Sequence, residues 1–337
     1  MKTDISLYLE RKFKKNNLVL NTKNLGELFT KFDKVYSTLS TDFLNNYKRE
    51  DSIYNNYHPY KKSIIFTNKT LVNINYNNQK IVLNIYHNNE NLDLFINNIL
   101  FVIYYLIKYS DYKKNIIIDY LLTDLVKEIK NMNIGQIFTQ NEINSGLTDF
   151  RKNKIIIWRK EEIMKVTIHE LIHLLNLGLN KNFTKLINHY KNKYKISSKF
   201  IIIDEAYTEF LAVLINNYLI TKWNKKTYNY FKYLLKLEIF FTIFQSKKIF
   251  YLSRINQNDY IDLNKHTQVL SYFIIKLEMF MNLDKIIKLI NLNNLNKIED
   301  ILINNKKSVF NTSANIDLDM KIFKQMRMTL NEYKLFK

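Results

Sequence analysis

A compact β-type run, Lys154-Ile155-Ile156-Ile157-Trp158, leads directly into an amphipathic helical pattern from Arg159 to Leu177, ending near Gly178 as a C-cap. Inside that helix lies Val166-Thr167-Ile168-His169-Glu170-Leu171-Ile172-His173-Leu174-Leu175. Histidines four apart share one helix face about one turn apart, so both imidazoles can reach one ion. Glu170 sits beside the first of them, where it can reach a water on that ion without being a ligand. The flanking Ile, Val and Leu residues supply the dry packing such a helix needs. With only 6 histidines in 337 residues, the arrangement is rare by chance. The plainer alternative is two surface histidines on a structural helix.

Zinc takes three protein ligands and leaves a fourth position open for water. The third candidate is Glu205, in Ile203-Asp204-Glu205-Ala206-Tyr207-Thr208-Glu209-Phe210. Glu205 and Glu209 are four apart and share a face of the next predicted helix but one. Glu209 is then placed to hydrogen-bond the free nitrogen of a ligating histidine and fix its tautomer. Taken alone the pair reads as a solvated acidic face. His189 is an alternative third ligand, whereas His58 and His87 have no partner at ligand spacing and read as structural.

Elsewhere the pattern is mixed. Residues 1–60 look helical and polar, with a break at Tyr57-His58-Pro59. Three short β-type runs follow, Ser63–Phe66, Thr70–Tyr76 and Lys80–Tyr86, the last two joined as a hairpin by Asn77-Asn78-Gln79. Leu92–Tyr109 is a strongly apolar helix, and Asn115–Leu122 reads as a strand or the opening of a helix. Gly135 and Gly146 mark turns. Beyond Gly178 the chain reads as mostly helices, among them Ile203–Leu219, Thr227–Phe244 and Val269–Met281. The expected organisation is an N-terminal helical extension (1–60), an α/β lobe (61–178) and a helical lobe carrying the third ligand (179–337).

Composition bounds the partners. The chain has no cysteine, which excludes a disulfide framework, a thiolate metal site and a cysteine nucleophile. The formal net charge of +20 favours non-specific attraction to polyanions such as nucleic acid. The lysines are scattered in small groups, however, and Asn, Lys, Ile, Tyr and Phe are all over-used, as an A/T-rich coding sequence would produce. The first residues lack the apolar core of a secretory signal, and the most apolar run, Ile99–Ile107, is too short to span a bilayer. The expectation is a cytoplasmic protein that does not enter a membrane, in the host cytoplasm or the virion if viral.

His-Glu-x-x-His followed by Glu-x-x-x-Asp/Glu on a later helix resembles the gluzincins, the zinc peptidases that include thermolysin, neprilysin and the large one-zinc aminopeptidases. The stretch from Asp204 to Phe210 is similar to the Asn-Glu-Gly-led segment of those aminopeptidases, with Asp and Ala in place of Asn and Gly. The likeness covers residues 154–177 and 203–212. No Gly-Ala-Met-Glu-Asn exopeptidase segment occurs. The metzincin pattern fails, because Asn176 and Leu179 stand where it needs Gly and His. The run from Asn144-Ser145-Gly146 through Ile155–Glu162 to the helix also looks like uncharacterised predicted metallopeptidases of large DNA viruses.

The resemblance implies an α+β, zincin-like fold: a mixed N-terminal lobe and a mainly helical C-terminal lobe flanking a zinc cleft. It also implies that Lys154–Trp158 is an edge strand to which an extended peptide adds, the plain alternative being an edge guarded by Lys154 and Arg159. An oxyanion donor is expected from the helical half, with Tyr272 and His266 fitting by position; Tyr207 is also close, although such aromatics are mostly core. The expected activity is hydrolysis of a peptide or protein substrate by one Zn2+ per chain, with Glu170 as general base. The rival reading is a basic virion or nucleic-acid-associated protein on a catalytically inactive zincin scaffold.

Overall fold

The computed structural model describes residues 1–13, 20, 23–39, 47–76, 78–110, 112–129, 135, 137–179, 181–198, 201–253, 262–263, 267–305 and 320–336. In chain order the elements begin α1 (Asp4–Phe13), α2 (Lys23–Ser37), β1 (Lys48–His58), β2 (Lys61–Tyr76), β3 (Gln79–His87), α3 (Asp93–Tyr109) and β4 (Ile116–Leu121). Next come α4 (Gln140–Ile143), β5 (Gly146–Asp149), β6 (Lys154–Ile157), α5 (Ile163–Leu174), α6 (Thr184–Tyr194), α7 (Ile203–Trp223) and α8 (Tyr228–Ser253). A π-helix (Leu270–Ile275) runs into α9 (Lys276–Met281), followed by α10 (Leu283–Asn291), α11 (Ile298–Ile303) and α12 (Met320–Lys324). The fold is α+β, with one mixed sheet and helices through the C-terminal part. Two compact units form: 1–32, 127–144 and 178–332 make one, and 33–126, 145–177 and 333–337 make the other.

The sheet belongs to the second unit, in the order β1-β2-β3-β4-β6-β5. β3, β4 and β6 are parallel, while β1–β2, β2–β3 and β5–β6 are antiparallel. Parallel neighbours are buried on both sides, which is why β4 and β6 carry the runs Ile116–Ile118 and Ile155–Ile157. One face carries Ile81, Leu83, Ile85, Ile118, Tyr120, Ile155 and Ile157, all fully buried. Phe95 of α3 meets Tyr120 edge-on at 5.1 Å, and the Tyr120 and Thr167 hydroxyls lie 3.1 Å apart, so both α3 and α5 cover this face. On the other face Phe66, Tyr86, Leu121 and Trp158 form a smaller cluster.

Several expectations change here. Residues 48–58 are a strand: their backbone pairs along β2 while most side chains stay exposed, so no apolar period announces them. Ser63–Phe66 and Thr70–Tyr76 are parts of one strand, β2, and Asn115–Leu122 resolves as β4. The hairpin from Thr70–Tyr76 to Lys80–Tyr86 holds, with Tyr76 opposite Gln79; Asn77 lies outside the described residues. Gly146 opens β5 and is not a turn. Lys154–Ile157 is not an edge strand, since β5 covers its free side, and Lys154 is not an edge guard because its ammonium pairs with buried Asp119 at 2.6 Å.

The first unit is helical. Phe13 of α1 packs edge-on against Phe241 and Phe244 of α8, at 5.7 and 5.8 Å. α7 and α8 are buried around most of their circumference, so neither shows the amphipathic stripe of a surface helix. Residues 326–332 are buried without regular structure, and side chains satisfy their backbone. Buried Glu238 accepts from the amides of Leu330 and Asn331 (2.7–3.1 Å), and Gln245 and Lys276 donate to the carbonyls of Arg327 and Met328 at 2.7 and 2.8 Å. Irregular buried backbone persists only with such partners. Among the described residues, no helix is long and apolar enough to cross a membrane.

Candidate metal centre

α5 is shorter than its apolar pattern suggests. It starts at Ile163 because Lys160 is tied down first: its amide donates to Thr123 O at 3.0 Å, and its ammonium pairs with Glu90 and Asp124 at 2.8 and 2.6 Å. The C-cap is not Gly178. Asn176 takes the left-handed conformation (φ 57°), its amide reaching His173 O at 3.0 Å and that of Leu177 reaching Ile172 O at 2.9 Å. That is a Schellman ending, with Asn in the place glycine usually takes. Gly178 has a different use: a Cβ there would overlap the Asp204 carboxylate, which accepts a hydrogen bond from the Leu179 amide.

On this helix the Nε2 atoms of His169 and His173 lie 3.2 Å apart, their rings edge-on at 4.9 Å. Two nitrogens on one tetrahedral zinc, each about 2.0–2.1 Å from it, stand about 3.3 Å apart. The observed spacing therefore fits two ligands of one ion. His169 and Glu170 are each 7% exposed, while His173 is half-buried.

β5 places Glu170. The Thr148 hydroxyl lies 2.7 Å from Glu170 Oε2 and 3.2 Å from its carbonyl oxygen. At Gly146 a Cβ would stand 2.7 Å from Glu170 Oε1 and 2.9 Å from Val166 Cγ1. Glycine is thus required where the strand passes the carboxylate. Neither residue was found from the sequence, because they precede Glu170 by more than twenty residues and match no spacing rule. The signal available was Gly146 within the Asn144-Ser145-Gly146 run ahead of Lys154, which gave no role to the glycine or to Thr148 two residues on.

In the helical unit α7 carries Glu205 and Glu209. The Tyr272 hydroxyl donates to Glu205 Oε2 at 3.0 Å, from within the π-helix; such distortions often mark functional positions. Glu209 is fully buried, and Lys276 Nζ lies 3.5 Å from its Oε1. His266 lies outside the described residues. His189 sits on α6 against Tyr190, with its buried Nε2 lacking a hydrogen-bond partner. Burial, then the nearby Lys193 charge, lowers its pKa. His58 and His87 are structural: His58 binds Asp119 at 3.1 Å and His87 meets the Thr70 hydroxyl at 3.1 Å.

No protein-family model matches the chain, and neither does any solved structure. It is similar to an uncharacterised protein of Acanthamoeba polyphaga mimivirus, 29% identical over 120 residues. The matched stretch is 34% of this chain and 30% of that protein, so the chain spans less than a third of the length of its viral relative.

Proposed function

We propose that the protein is a zinc-dependent peptidase in which His169, His173 and Glu205 hold the ion and Glu170 is the general base. The observation that carries this reading is the pair of imidazole nitrogens 3.2 Å apart on α5, with a buried carboxylate next to the first of them. His169, His173 and Glu205 each offer one ligand atom and together can hold a metal ion. Two nitrogens and one carboxylate oxygen are a donor set that suits zinc and leaves a coordination position free. When bound, zinc supplies Lewis acidity and lowers the pKa of a coordinated water.

Glu170 takes the proton from the attacking water and returns it to the leaving amine. The Thr148 hydrogen bond and the space at Gly146 fix its carboxylate in one orientation, so little reorganisation is left for the reaction. Tyr272 donates its single phenolic proton to Glu205 at 3.0 Å, and on this reading it turns that proton to the oxyanion when substrate is bound, as the donor of the helical half. On this reading Glu209, buried with Lys276 Nζ 3.5 Å from its Oε1, has the role of steadying a ligating histidine. The exposed side of β5 takes the role first expected of Lys154–Trp158, pairing with an extended peptide.

The test is Glu170→Gln. Zinc content should remain at the wild-type level while peptide hydrolysis falls by at least about 10³-fold, as expected when the proton acceptor is removed. Retained turnover would remove Glu170 from the mechanism.

A further inference from the structure

A second group of side chains lies along the same strand register as Gly146, and the general-base chemistry does not use it. The Trp158 amide donates to Ser145 O at 3.0 Å, one residue before the glycine that makes room for Glu170. Tyr60, in the β1–β2 turn, sets its ring 5.0 Å from that of Trp158. Lys61 places its ammonium 5.2 Å from the centre of the Trp158 ring and 5.8 Å from that of Tyr60. Arg159 is buried beside them, its Nη1 3.5 Å from the Ser145 hydroxyl.

Electrostatics ties this group to the candidate base. Burial, then the Glu170 charge, holds the Tyr60 phenol above its ordinary range. Burial, then the charge of Arg159, pulls the Lys61 ammonium below its own. Lys61 has no carboxylate partner among the described residues. Aromatic faces supply part of the compensation for a half-buried cation. A second cation nearby works against it, and an anion brought to Lys61 would relieve its ammonium.

We propose that Lys61, beside the exposed Tyr60 ring and with Trp158 and Arg159 buried next to it, forms a substrate subsite for a carboxylate, supplied by an acidic side chain or by the peptide's C-terminus. The proposal rests on the peptidase reading and names the substrate class of that site: acidic peptides held beside Glu170. The exposed Tyr60 ring packs the apolar part of the bound residue, and the Lys61 ammonium binds its charged end, with the buried Arg159 adding positive potential nearby.

Binding tests this separately from turnover. The Glu170→Gln protein, loaded with zinc, is titrated calorimetrically with apolar hexapeptides capped at both ends. Glu stands at each position in turn, matched by a Gln isostere, and one further peptide has a free C-terminus. At one position Glu should bind on the order of ten-fold more tightly than Gln. Lys61→Met should erase the difference, and Lys61→Arg should retain it. A gain confined to the uncapped peptide assigns the carboxylate to the C-terminus. Equal binding of Glu, Gln and uncapped peptides, no binding at all, or a preference unchanged in Lys61→Met would overturn the subsite. A Lys61-dependent preference combined with no hydrolysis by the wild-type protein would keep the subsite and reject the peptidase reading.

Discussion

At the residue scale the account depends on how narrowly the Glu170 carboxylate is held. Gly146→Ala forces a Cβ to within 2.7 Å of Oε1 and 2.9 Å of Val166 Cγ1, distances that real methyl groups do not adopt. Because Glu170 is buried, the displaced carboxylate has little free space to move into. Peptide turnover should fall about 100-fold, the usual cost of misplacing a catalytic group by about an ångström. Zinc content should be unchanged, since neither histidine is touched; parallel steady-state kinetics and metal analysis check both. Wild-type turnover in Gly146→Ala would show that Glu170 is not held as described. The pair of histidines and the glutamate between them were legible in the sequence because helix geometry converts a spacing of four directly into proximity. Gly146 and Thr148 were not, because a strand-to-helix contact across more than twenty residues leaves no periodic trace.

At the scale of elements, helix ends were harder to read than helix bodies. The body of α5 follows from its apolar residues and the two histidines, but its ending was assigned to Gly178 on composition. The structure uses Asn176 at φ 57°, leaving Gly178 to admit the Asp204 carboxylate. Asn and Gly are the residues that tolerate the left-handed region, and a Cβ-bearing residue without a short polar side chain loses about 1–2 kcal/mol there. Asn176→Ala should therefore lower stability by about 1–2 kcal/mol in urea unfolding, whereas Asn176→Gly should be close to neutral. Equal effects of the two substitutions would contradict the Schellman ending. The strands divide in the same way. β3 and β6 were legible from their short β-type runs, whereas β4 stayed open between strand and helix because a brief apolar run fits either. β1 was not legible, since an edge strand can be held by backbone hydrogen bonds alone while its side chains remain polar and exposed.

Across the whole molecule, the α+β class was readable from an N-terminal half rich in β runs and a C-terminal half of long apolar helices. The interleaving of the units was not: each is assembled from three separate stretches of chain, which no local pattern encodes. The buried segment 326–332 was equally hidden. It is held by Glu238, Gln245 and Lys276, which come from distant helices, and the alternation of Met326, Met328 and Leu330 with polar residues suggests a strand that does not form. Lys276 also lies beside Glu209, so a buried cation faces both this segment and the carboxylate proposed to steady a ligating histidine. The central claim nevertheless reduces to one ion and three side chains on two helices. The most direct measurement is zinc per chain by mass spectrometry of the purified protein, alongside His169→Ala, His173→Ala and Glu205→Ala. The account predicts about one zinc in the wild type, with each substitution lowering it to a small fraction of that. Zinc below about a tenth of one per chain, with no uptake from added metal, or a content unaffected by the three substitutions, would contradict it.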